Sequence, residues 1–144
     1  MVIELGAKER RSLGGIVRAI EGQRGRPITV HTVDWLVGTG ATGLWLPFPD
    51  ADDVLILPTA STLYRTQIIL HELAHMILGH DEIPDAIFTL TTPFIGEEAA
   101  RRHALARSTQ RNRYEIAAEE LANELAETLH SQTVEPGWFE EVLG

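Results

Sequence analysis

Residues 71–75 read His71-Glu72-Leu73-Ala74-His75. On a helix, positions i and i+4 share one face, so the two imidazoles can grip one metal ion. Glu72 sits about 100° round the same helix from His71, near enough to take a proton from a water on that metal. The chemistry this spacing points to is zinc-assisted hydrolysis. Zinc lowers the pKa of its water from about 15.7 to near 7. Glu72 then acts as the base and hands the proton to the leaving amine. The competing reading is two core histidines and a glutamate sharing a helix by chance. Against it stands the stretch IILHELAHMIL, which is otherwise almost wholly apolar. A buried carboxylate without a partner costs several kcal/mol, and a metal at the imidazoles relieves that cost.

A catalytic zinc takes three protein ligands and keeps one position open. His80 is nearest in sequence, but nine residues from His71 it lies about 180° away on a continued helix. It could reach the metal only if the chain turned sharply at Gly79. Otherwise it is a helix-end residue favoured by the dipole, or a group behind the ligands. The metzincin spacing needs a glycine and a histidine where this chain has Leu78 and Asp81. The better source is the segment 112–131, whose Ala118, Ala122, Leu125, Ala126 and Leu129 fall on one helical stripe. Glu115 lies within that stripe and Glu119 at its edge; Glu120, Glu124 and Glu127 face the other way. Geometry alone therefore leaves Glu119 or Glu115. Asn123, one turn after Glu119, can hydrogen-bond a ligand from behind. Tyr114, His103 and His80 are candidate donors to an oxyanion.

The elements that must position these groups follow from the patterning. Residues 4–23 form a weak helical stripe, interrupted by Gly14-Gly15. Residues 28–33 are β-branched and read as a strand; 44–46 and 54–57 read as two more, each ended by proline. The glycine-rich loop 38–43 lacks the lysine of a phosphate-binding loop. The motif helix starts at Ser61 or Thr62 and stops at Gly79. Residues 80–96 read as a loop able to act as a lid, and 97–108 and 112–131 as helices. The expectation is one α+β domain over 1–144, with a helical N-terminal segment at 1–27 and a mobile tail at 132–144. A small, mainly antiparallel three-stranded sheet packs on the central motif helix and the later helices. An extended peptide could pair with a strand edge at 44–46 or 54–57.

The HELAHMILGH helix, followed by Glu119-Glu120-Leu121-Ala122-Asn123-Glu124-Leu125-Ala126, resembles the ImmA/IrrE family of bacterial zinc metallopeptidases. That family pairs H-E-x-x-H with E-x-x-A-N-x-[FL]-A on a later helix. The likeness spans roughly 28–130, and only the two motifs are specific. It implies a minimal zincin-like domain, zinc on His71, His75 and Glu119, and Glu72 as catalytic base. It also implies a protein substrate, such as a helix-turn-helix repressor or antitoxin. Where the family often continues into Leu-Leu-Met-Pro, this chain has Glu127-Thr128-Leu129-His130.

Composition narrows the classes. The net charge is −9, which disfavours direct binding of nucleic acid. Basic residues gather at 8–26 and 101–113, acidic ones at 115–141, as solvated faces or as a docking surface for a partner. There is no cysteine, which removes disulfides and thiolate metal sites and suits a cytoplasmic location. No signal peptide or apolar membrane span is evident. Two other functions fit the same residues: a non-proteolytic zinc-binding regulator or toxin–antitoxin component, and a hydrolase of a small amide.

Overall fold

A computed structural model describes residues 2–82, 96–108 and 113–131. The expected tail at 132–144 and most of the expected lid at 80–96 lie outside them. In order, the elements are α1 (Leu13–Arg24), β1 (Ile28–Thr32), β2 (Gly43–Pro47), β3 (Asp52–Ile56), α2 (Thr62–Ile77), α3 (Glu97–Ser108) and α4 (Arg113–Ser131). Short 3-10 turns occupy Glu9–Arg11, Asp34–Leu36 and His80–Glu82. The α+β class is as expected.

The N-terminal helix begins later than its apolar stripe. Ser12 caps it by accepting from the Gly15 amide at 2.9 Å, so Gly14-Gly15 form the first turn rather than a break. Ahead of it come the 3-10 turn Glu9–Arg11 and, before that, residues 2–6 without regular secondary structure. Ile3 is buried, and its amide donates to the Ile77 carbonyl at the end of α2 (2.8 Å). That bond satisfies one of the carbonyls a helix end leaves open. The Gln23 side chain clamps the same segment: it accepts from the Glu4 amide and donates to the Glu4 carbonyl.

The sheet corrects the expectation of mainly antiparallel pairing. Its order is β1-β3-β2, with β1 parallel to β3 and β2 antiparallel to it. The chain between β1 and β2 is long enough to skip one strand width, and the tight turn after Pro47 folds β3 back into the gap. Short connections by themselves favour successive antiparallel hairpins. The strand at 54–57 is therefore central, at Asp52–Ile56, and has no free edge. Among the described residues β2 is an edge strand.

Ser61 caps α2 through the Tyr64 amide, as its position predicts. Nine of the α2 residues from Ile68 to Ile77 are buried, Glu72 and His75 among them. One apolar cluster joins α2 to Ile16 and Ile20 of α1, Trp45, Val54 and Ile56 of the sheet, and Ala118, Ala122 and Leu125 of α4. Alanines on α4 let it lie close along α2. A second cluster, with Leu44, Leu46 and Leu55, packs against Ala100 and Ala104 of α3 on the sheet's other side.

Candidate metal centre

The buried face of α4 runs through Ala118, Ala122 and Leu125, and Glu115 sits three residues before Ala118 on the same stripe. Helix pairing carries that carboxylate to the His71–His75 face of α2. One atom from each of His71, His75 and Glu115 lies within 4.8 Å of the others. The His71 Nε2 to Glu115 Oε2 distance is 3.5 Å, and His75 Nε2 is closer still to the same oxygen. Ligands on a tetrahedral zinc, with bonds of about 2.0 Å, stand roughly 3.3 Å apart. The donor set, two imidazoles and a carboxylate, is one that zinc accepts. The side chain of His75 is 1% exposed, Glu115 14% and His71 25%, so the group opens to solvent on the His71 side.

Of the two glutamates that helical geometry allowed, the structure brings Glu115 into this group. Glu119, the ligand implied by the family resemblance, lies one turn further along α4 and is not part of it. Asn123 accepts a 3.0 Å hydrogen bond from Gln67 Nε2, tying α4 to α2 beside the group.

Glu72 is fully buried and is pressed against the first residue of β2. A Cβ added to Gly43 would stand 3.0 Å from Glu72 Oε2 and 2.8 Å from Ile68 Cγ2. Only a glycine lets the strand approach α2 this closely. Gly43, which reads in sequence as the end of the glycine-rich loop 38–43, is instead the first residue of β2. The one available signal was a glycine directly before an apolar strand.

The chain does turn sharply at Gly79, which adopts φ 70. The turn returns His80 toward α2, but to the far side of the His75 ring. His80 Nδ1 is 2.8 Å from His75 Nδ1, whereas Glu115 faces His75 Nε2. Burial, then the neighbouring His75, pushes the His80 imidazole down to about 4. Tyr114 stacks edge-on against His80 with ring centroids 5.3 Å apart and accepts from Arg113. The side chain of His103 falls outside the described residues.

Behind His80 lies a charged cluster that sequence spacing did not announce. Arg24 binds Asp52 through Nε (2.6 Å) and Nη2 (3.0 Å), and Asp81 through Nη2 (3.0 Å). Arg26 and the Trp45 indole also donate to Asp52. Burial raises the Asp52 carboxyl, but hydrogen bonds from Arg24, Arg26 and Trp45 outweigh it and hold it below its ordinary value. Burial likewise works against the Arg24 charge, and its bonds to Asp52 and Asp81 more than restore it.

Comparison with protein-family models, curated proteins and solved structures returns no match. No helix among the described residues is long and apolar enough to cross a membrane.

Proposed function

We propose that this chain is a zinc metallopeptidase with a minimal zincin-like domain, in which His71, His75 and Glu115 hold the metal and Glu72 is the base. The observation that carries the reading is the meeting of Glu115 with the two motif histidines, from a helix forty residues away in sequence. Three such donors in one partly buried group, with a buried second carboxylate, Glu72, next to His71 in the chain, match the needs of hydrolysis better than those of a structural site. A structural zinc has four closed ligands and no use for a base.

Zinc, when bound, supplies Lewis-acid activation of water and of the scissile carbonyl. The remaining work belongs to the protein. Glu72, buried beside β2, takes a proton from the attacking water and returns it to the leaving amine. The His71 side, where the group is partly open to solvent, is where substrate would enter. Among the described residues β2 pairs on one side only, and its first residue touches Glu72. An extended peptide added to that edge would pass beside the base. A protein substrate of the repressor or antitoxin kind, in a cytoplasmic setting, rests on the resemblance of the two motifs to the ImmA/IrrE family.

Purified protein is expected to carry about one zinc per chain by elemental analysis. Incubation with the product of the adjacent reading frame should give one defined cut that a chelator abolishes. A folded protein with no affinity for zinc would overturn the reading. Zinc without cleavage of any peptide would leave a binding regulator in its place.

A further inference from the structure

The two nitrogens of His75 face different neighbours. Nε2 points to Glu115, and Nδ1 lies 2.8 Å from His80 Nδ1. A metal at Nε2 needs its lone pair, so the His75 proton must sit on Nδ1 and be donated. His80 Nδ1 is then the acceptor, with its own proton on Nε2. His80 is 4% exposed, which keeps water from competing for the same bond. Its place is set from two sides. Gly79 turns the chain back, and the next residue, Asp81, is bound at 3.0 Å by Arg24. Arg24 is itself fixed by Asp52 and lies over the Trp45 ring at 5.0 Å.

We propose that His80 is a positioning residue that fixes the tautomer and ring angle of His75, and that the Arg24–Asp81 ion pair is the latch holding it there. The inference rests on the zinc reading above. Outer partners of metal-bound histidines commonly orient them and raise their basicity. Here the partner is a second imidazole, and its anchor is a charged cluster reaching α1 and β3.

The test uses the full chain and zinc alone, with affinity measured by competition against a fluorescent chelator and imidazole tautomers read by nitrogen-15 NMR. His80→Phe is expected to weaken zinc about 10–100-fold, the range typical of lost outer partners. His80→Asn, whose Oδ1 can accept the same proton, should recover most of that loss. Asp81→Ala should give a smaller loss with His80 intact. His75 should show one tautomer, protonated at Nδ1, in the wild type and a mixture in His80→Phe. Equal affinity in wild type and His80→Phe would overturn the proposal while leaving the zinc site standing; so would a His80→Asn variant as weak as His80→Phe. A wild type that binds no zinc would overturn both. Should His80→Phe not fold, His80→Asn and Asp81→Ala decide: unchanged affinity in Asp81→Ala together with mixed tautomers in the wild type overturns the proposal.

Discussion

Glu115 and Glu119 differ by four residues, and it is Glu115 that forms the group with the two imidazoles. Their angles on α4 differ by only about 40°, but they stand roughly 6 Å apart along its axis. A helical wheel measures the angle and says nothing of the axial offset at which two helices meet. That offset depends on how Ala118, Ala122 and Leu125 seat against α2, which no local pattern encodes. The motif residues themselves were legible because His71, Glu72 and His75 share one helix and one turn. Glu115→Ala is expected to weaken zinc by more than the roughly 100-fold upper range for outer partners, and Glu119→Ala to leave it nearly unchanged; chelator competition checks both. Glu72→Gln should retain zinc and lose at least about 100-fold in peptide hydrolysis, the lower range for general acid–base catalysis. Metal content and turnover, measured on one preparation, separate the two effects.

At the scale of elements, helices were easier to read than the sheet. Ser61 and Gly79 mark the ends of α2 chemically, and the 97–108 and 112–131 segments appear within a residue of their expected bounds. Strand pairing is a choice among partners distant in sequence, so Ile28–Thr32 gave its conformation without its neighbour. The close approach of β2 to α2 is equally non-local. Gly43→Ala places a methyl 2.8 Å from Ile68 Cγ2, a branched atom with little freedom to retreat. The expected cost is about 1–3 kcal/mol from overpacking, read as a lower Tm of the metal-free protein. Because the added atom also abuts Glu72, turnover should fall further than stability explains, with zinc affinity largely kept.

At the scale of the whole molecule, Asp52 links α1 and β3 to the turn after α2 through Arg24. Its carboxyl is held below its unfolded value of 3.8. A group with a depressed folded pKa contributes stability that is complete above the unfolded value and lost as pH falls through the folded one. The acid limb of the stability curve should therefore steepen below about pH 4. In Asp52→Asn that dependence should flatten. The variant should also lose about 3–5 kcal/mol at neutral pH, because two guanidinium groups lose their buried counter-ion. Denaturant titrations across pH 2–7 would show both. The Ile3 amide, bonded to the last carbonyl of α2, carries a different kind of information. Its proton can exchange with deuterium only when that joint opens. The third residue of the chain thus serves as a clock for fraying of the helix that carries both histidines, and zinc binding should slow it.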